Sequence, residues 1–236
     1  MRERNSQNRA EFATLYAQFC SPITELDCGK KCAPYNKNGV PFCCDTDHTV
    51  PTAYLEEWQY LENATDLWHL WCAEDDQENE RLLSVTPEGQ TLIACLGHEH
   101  CQRDFRSITC RAFPFFPYLS EEDQFLGLSY YHDYRDRCWV ISNLDAVSLE
   151  YRQEFITAYE LIFEQMPGER ENFRYHAQVM RSIHAKSRRT IPLLHRNGEN
   201  YRVSAGTGEL LPLNQGKFPK FGVYKIAARL PFPDEL

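Results

Sequence analysis

The sequence predicts an α+β protein. A cysteine-rich metal-binding domain of short helices and strands should come first, followed by a C-terminal helical and β-hairpin extension. Two observations support this. The ten cysteines all lie between residues 20 and 138, and apolar residues recur with helical period in some segments and in strand-like runs in others. We therefore expect a cysteine-cluster domain over residues 20–140 and an α+β extension over residues 141–236 packed on the first region.

The segments before residue 100 predict helices and one hairpin. Apolar residues at helical spacing predict a helix over residues 8–19. Thr49 can cap a second helix that has Pro51 in its first turn. A third helix is expected over residues 65–81. A β-hairpin is expected over residues 81–96, around the turn Pro87–Glu88–Gly89.

The later segments predict a loop, strands and two long helices. Residues 101–110 should form a loop or a short helix that ends before Pro114. The run 125–131 looks strand-like. A helix capped by Asp145 and a second one over residues 169–187 should follow. Strands at 191–195 and 201–203 should flank an Asn197–Gly198 turn.

Composition argues against several classes of partner. The formal net charge is −9, with 34 acidic against 25 basic side chains, so the chain has no general attraction for nucleic acid. No run approaches the ~20 apolar residues that span a bilayer, and no membrane partner is expected. Residues 1–10 are polar and lack the apolar region of a secretory signal. We therefore expect a cytoplasmic protein.

The cysteines point to metal rather than to disulfides. Thiols stay reduced in the cytoplasm, and a chain of this length does not need disulfides to fold. Eight of the ten cysteines form two groups along the sequence, and we take these eight as candidate metal ligands. The first group is Cys28, Cys32, Cys43 and Cys44, and the second is Cys95, Cys101 and Cys110 with Cys138 further on. Cys20 and Cys72 fall outside both groups and are interpreted as buried or incidental thiols.

The adjacent pair Cys43–Cys44 leaves the division of ligands open. Neighbouring side chains of an extended segment point to opposite sides, so the pair could serve two sites or supply one ligand and one packed thiol. Eight thiolates suffice for two zinc sites or two iron–sulfur clusters, and a single centre with spare cysteines fits equally well.

Other side chains are candidates beside the sulfurs. His98 and His100 precede Cys101 and could replace a cysteine ligand, although exposed turn positions are the simpler interpretation. Arg111 could bind a cofactor, by hydrogen bonding to a thiolate cluster or a ligand carboxylate, or it could form a structural salt bridge. Residues 130–134 could line a polar pocket or belong to a half-buried strand.

The motif Cys110-Arg111-Ala112-Phe113-Pro114-Phe115, with the upstream cysteine pair, resembles the YkgJ-type cysteine-cluster family of zinc- or iron-chelating proteins. The resemblance covers residues 28–138, including Cys95–Leu96 and Cys101. It departs from the family in its wider first spacings and in the segment 103–108.

This resemblance implies a metal-binding protein that holds an iron–sulfur cluster or zinc. Because the family includes a flagellin lysine N-methylase, it also implies an alternative: an iron–sulfur-dependent protein lysine N-methyltransferase that uses S-adenosylmethionine and has a protein substrate. A zinc-stapled interaction module with a protein partner is a third possibility. The sequence assigns no catalytic residue.

Overall fold

The computed structural model describes residues 12–213 and 218–227, and its mixture of helices and antiparallel sheets confirms the α+β class. The helices are α1 (12–18), α2 (Cys28–Cys32), α3 (Leu55–Ala64), α4 (Asp76–Val85), α5 (Ile108–Ala112), α6 (Leu149–Gln165), α7 (Glu169–Lys186) and α8 (Tyr224–Ala227). The strands are β1 (Thr52–Tyr54), β2 (Trp68–Leu70), β3 (Gln90–Cys95), β4 (Phe115–Leu119), β5 (Phe125–Tyr130), β6 (Thr190–His195), β7 (Asn200–Ser204) and β8 (Leu210–Pro212). Residues 8–11 of the first predicted helix lie outside the described residues.

The chain divides into two compact units, each built from separate segments. Unit 1 comprises the described part of Met1–Cys20 together with Val40–Phe113. Unit 2 comprises Ser21–Gly39 and the described part of Pro114–Leu236. The domain limits expected from the sequence, 20–140 and 141–236, stay a prediction.

Unit 1 is organised around a small antiparallel sheet in the order β1-β3-β2. The central strand β3 pairs Leu92 with Thr52 on one side and Cys95 with Trp68 on the other. The apolar side chains of α1 are buried, as are Leu61 of α3 and Ile93 of β3. This core carries the loops in which the cysteines of unit 1 lie.

Unit 2 contains an antiparallel sheet in the order β4-β5-β6-β7-β8. Helix α7 packs on β4 and β6 through a stripe at helical spacing: Phe173, Ala177, Met180 and His184. Strands β5 and β6 approach closely at Gly127, where a Cβ would lie 2.2 Å from the carbonyl oxygen of Leu194. Only glycine fits there without moving backbone.

Several elements before residue 100 differ from those the sequence predicts. The helix expected from Thr49 is preceded by β1 and begins at Leu55, because the carboxylate of Glu57 accepts a hydrogen bond from the backbone of Tyr54, the N-cap (3.2 Å). The helix expected over residues 65–81 is wrong, since β2 lies there and α4 starts at Asp76. The acidic run is the N-terminus of α4, where Asp75 accepts from the backbone of Gln77 (3.0 Å). The expected hairpin is wrong for the same reason: residues 81–85 are helical.

Later predictions agree better. The short helix before Pro114, the strand near residue 125, the helix over 169–187 and the two C-terminal strands are all present. Helix α6 is capped by Ser148 rather than Asp145, because the Ser148 hydroxyl accepts from the backbone of Tyr151 (3.2 Å). Strand β4 was not predicted, since Pro117 reads as a breaker, but an edge strand tolerates proline.

Candidate metal sites

Four cysteines of unit 1 come together although they are spread over 67 positions of sequence, from Cys44 to Cys110. Cys44 ends a 3₁₀ turn, Cys95 is the last residue of β3, Cys101 follows a second 3₁₀ turn, and Cys110 lies in α5. Burial raises the pKa of the Cys110 thiol to about 12, with contributions from the other three thiols. Such mutual repulsion requires the four sulfurs to be close neighbours.

Arg106 supplies positive charge to this group. Its Nε donates a hydrogen bond to the Sγ of Cys101 at 3.2 Å. Burial lowers the pKa of the guanidinium, but the thiols of Cys110, Cys101 and Cys44 raise it overall. A guanidinium so placed would offset the negative charge of gathered thiolates. The sequence analysis missed Arg106, and its position between Cys101 and Cys110 was the available signal.

Cys95 has a second kind of partner. Burial raises the pKa of its thiol, while a hydrogen bond from the backbone of Gly97 lowers it. Gly97 has φ of +99°, a conformation that glycine adopts without strain. The turn therefore aims an N–H group at the sulfur of the last residue of β3.

The pair Cys43–Cys44 is not extended, contrary to the expectation that the two side chains point apart. Phe42–Cys44 form a 3₁₀ turn, and the two sulfurs are 3.9 Å apart. The turn closes through a hydrogen bond from the backbone of Cys44 to the carbonyl of Pro41 (2.8 Å). Cys43 is exposed and Cys44 is half-buried.

Three cysteines come together in unit 2. Cys28 and Cys32 open and close the single turn of α2, and residues four apart lie on the same face of a helix. Cys138 follows the 3₁₀ turn His132–Tyr134, and the backbone of Cys138 donates to the carbonyl of Tyr134 (2.8 Å). Burial raises the pKa of the Cys138 thiol, and the thiols of Cys28 and Cys32 add to the shift.

Backbone N–H groups and tyrosines surround this second group. The backbones of Ile141 and Val140 donate hydrogen bonds to the sulfur of Cys138 and lower its pKa. The hydroxyl of Tyr224 donates to the carbonyl of Arg137 (2.7 Å). Burial raises the pKa of Tyr224, with further contributions from the three thiols. The ring of Tyr224 meets that of Tyr35 edge to face at 5.6 Å.

The two groups differ from the two runs seen along the sequence. Cys44 joins the later cysteines of unit 1, whereas Cys138 joins the CxxxC pair of unit 2. The ten cysteines all lie in the described part of the chain, and the structure does not pair them as disulfides. Cys20 and Cys72 are exposed, so neither is a buried thiol.

The donor chemistry of both groups fits a soft metal, but their present spacing does not hold one. Among residues 12–213 and 218–227, no group of three or more His, Cys, Asp or Glu side chains could hold a metal ion as arranged. Metal binding would therefore have to draw the thiols of each group together. Sites of this kind commonly form only as the metal binds. Thiolates are ligands for zinc and for iron–sulfur clusters.

The guanidinium of Arg111 contacts backbone oxygens. It donates to the carbonyls of Arg106 (2.8 Å), Asp104 (2.6 Å) and Tyr16 (3.1 Å), and also to that of Phe19. It also stacks on the ring of Tyr16 at 4.2 Å. These contacts tie α5 to α1 in unit 1, and the cofactor-binding role of Arg111 stays a prediction.

The candidate histidines lie in exposed or ordinary surroundings. His98 and His100 form an exposed 3₁₀ turn rather than a strand. His48 packs edge to face on Phe42 at 5.0 Å. None of the three is needed to complete the group of four thiols in unit 1.

Comparison with known proteins adds no assignment: no family model matches the chain, and neither curated proteins nor solved structures give a match. Within the described residues, no helix is both long enough and apolar enough to cross a bilayer.

Proposed function

We propose that the protein binds metal through two cysteine sites, holding an iron–sulfur cluster or zinc in a cysteine-rich metal-binding domain. The first site would use Cys44, Cys95, Cys101 and Cys110, and the second Cys28, Cys32 and Cys138. The observation that carries the proposal is the gathering of four thiols from four separate elements around Arg106. Buried thiols without a metal have no reason to collect beside a guanidinium that favours their charged form.

The number of thiols also supports the proposal. Four thiolates complete a tetrahedral zinc site or the ligand set of a cubane cluster. Three thiolates leave one position for a different ligand. Both sites require deprotonated sulfur, and the guanidinium in one unit and the backbone N–H groups in the other would stabilise that charge. A cytoplasmic location, which keeps thiols reduced, is part of the proposal.

The test is metal and sulfide analysis with visible absorption on the full chain purified without oxygen. An iron–sulfur cluster predicts brown protein with iron and acid-labile sulfide, and zinc predicts colourless protein with stoichiometric zinc. Absence of both, with the thiols paired as disulfides, would overturn the proposal.

The vicinal pair offers a matched control within the first site. Cys44→Ser should lower the bound metal, because the Cys44 thiol faces Cys95 and Cys110. Cys43→Ser alters the exposed neighbour and should retain more metal. The reverse order would remove Cys44 from the ligand set and make Cys43 the ligand.

The alternatives stay predictions. Methyl transfer from S-adenosylmethionine to a protein lysine, and a zinc-stapled module that binds a protein partner, both rest on the family resemblance or on composition. The metal analysis also separates them, because a zinc-stapled module would unfold when chelators remove its zinc.

A further inference from the structure

A second polar cluster lies in unit 2, at the end of β5. Tyr130 is the last residue of β5, His132 opens the 3₁₀ turn that follows, and His184 lies in the last turn of α7. The rings of His132 and His184 meet edge to face, with centroids 5.4 Å apart. The backbone of Arg189 donates to the carbonyl of His184 (2.9 Å), which fixes where the chain leaves the helix.

Two polar atoms of this cluster are buried with no hydrogen-bond partner among the described residues: the hydroxyl of Tyr130 and Nδ1 of His132. Tyr130 is only 1% exposed. A buried donor that bonds to nothing costs folding free energy, so native proteins rarely keep one without a reason. Two in the same cluster indicate a place where a polar ligand would satisfy them.

The charges around the cluster favour an anion. Burial raises the pKa of Tyr130, but Arg135 and Arg189 lower it, so both guanidiniums act on the hydroxyl. The same two arginines lower the pKa of His184, on which burial has the largest effect. No carboxylate acts on either group.

Two carboxylates lie on the side of His132. Asp133 and Asp136 raise the pKa of His132, which burial and Arg135 lower. Asp136 is also 3.4 Å from the guanidinium of Arg135. The positive potential is therefore concentrated between Tyr130 and His184, where only arginines act.

The orientation of His184 is fixed. Its Nδ1 lies 3.0 Å from the carbonyl oxygen of Met180. Because a carbonyl can only accept, Nδ1 donates the hydrogen bond. The imidazole is thus held in place as a rigid wall of the cluster.

We propose that this cluster binds an oxyanion, the carboxylate or phosphate group of a small molecule. The hydroxyl of Tyr130 and Nδ1 of His132 would donate hydrogen bonds, and Arg135 and Arg189 would supply the charge. The site is built from residues that take no part in either cysteine group, so it stands or falls independently of metal binding.

The experiment is isothermal titration calorimetry of the full chain with inorganic phosphate and, separately, with acetate, at constant ionic strength. Arg189→Gln should weaken binding by ~tenfold, the loss expected for one charged donor. Arg188→Gln is the control, because it removes the same charge from the neighbouring exposed position. Tyr130→Phe should also weaken binding, and Tyr175→Phe, on the exposed side of α7, should not.

Each outcome decides the proposal. Saturable binding of phosphate, acetate or both, weakened by Arg189→Gln and not by Arg188→Gln, supports it and identifies the kind of oxyanion. Absence of saturable binding by either probe overturns it. Equal weakening by the two arginine variants also overturns it, since net charge alone would then explain the binding.

Discussion

The two cysteine groups stabilise sulfur in different ways. In unit 1, Cys101 receives a hydrogen bond from the side chain of Arg106, whose full charge acts on the neighbouring thiols as well. In unit 2, Cys138 receives hydrogen bonds from the backbones of Val140 and Ile141 and lies among aromatic rings. A side chain can be exchanged by one mutation and a backbone N–H cannot. The unit 1 site is therefore the one that can be tuned, and the unit 2 site is set by the path of the chain.

The largest effect expected is the separate loss of each site. Cys110→Ser should remove the metal of unit 1 and leave that of unit 2, whereas Cys138→Ser should do the opposite. The measurement is the metal-to-protein ratio of each variant, with the exposed Cys72→Ser as the control. If either variant emptied both sites, the two groups would not be independent centres.

The next effect concerns Arg106 alone. Arg106→Gln removes the charged donor to Cys101 and should weaken metal binding in unit 1 by ~10–100-fold, the usual cost of losing a group that supports a ligand. Competition with a chelator measures it. Arg103→Gln removes the same charge from an exposed position three residues away and should bind as the parent does. Equal loss in both variants would mean that only net charge matters.

The third effect is a pH dependence of stability in unit 1. Glu57 is fully buried, and burial raises its pKa to about 7, although hydrogen bonds from Tyr16 (2.6 Å) and the backbones of Ile108 (2.6 Å) and Tyr54 (3.2 Å) oppose the shift. The folded carboxyl then binds its proton more tightly than the unfolded one, whose pKa is about 4.5. Its contribution to stability is fully present below pH 4.5, is lost as the pH rises to about 7, and does not change above that.

The size of that loss is about 3 kcal/mol in the free energy of unfolding. Denaturant unfolding between pH 4.5 and 8 measures it. Glu57→Gln cannot titrate at this position, so the difference between parent and variant isolates the carboxyl. Parallel pH profiles for the two proteins would show that Glu57 does not titrate in this range.

The smallest effect has the opposite sign and belongs to unit 2. His176 packs against the rings of Phe116 (5.7 Å) and Tyr131 (5.1 Å), and burial lowers its pKa below 6.5. Its contribution to stability is present above pH 6.5 and is lost as the pH falls through the folded-state pKa. His176→Phe should therefore unfold less readily in acid than the parent. If acid destabilised both proteins equally, the imidazole would not be the group responsible.

The sequence predicted which cysteines matter better than it predicted how they group. Clustering and the CxxxC spacing pick out Cys28 and Cys32, because four residues make one helical turn. The assignment of Cys44 and Cys138 to their partners depends on how strands and turns bring distant segments together, and no local spacing encodes that. The 3₁₀ turn at Cys43–Cys44 was missed because adjacent residues were taken as extended.

The fold shows the same division between local and distant information. Helix α7 and the strands β6 and β7 followed from periodicity and from the Asn197–Gly198 turn. Strand β2 did not, because Trp68–Leu70 is helix-compatible by itself and is a strand through its pairing with β3. Glu57 could not be foreseen either, since its burial depends on Tyr16 and Ile108, which lie 41 and 51 residues away.

The discontinuous make-up of the two units sets the order in which the sites can be completed during synthesis. The ribosome delivers Cys28 and Cys32 early, but their partner Cys138 comes after all four ligands proposed for unit 1. A nascent chain of about 150 residues, with ~30–40 still in the exit tunnel at extended-chain spacing, therefore exposes a complete unit 1 site beside an incomplete pair. The first metal centre would be filled on the ribosome, and the second would have to wait for the chain to double back.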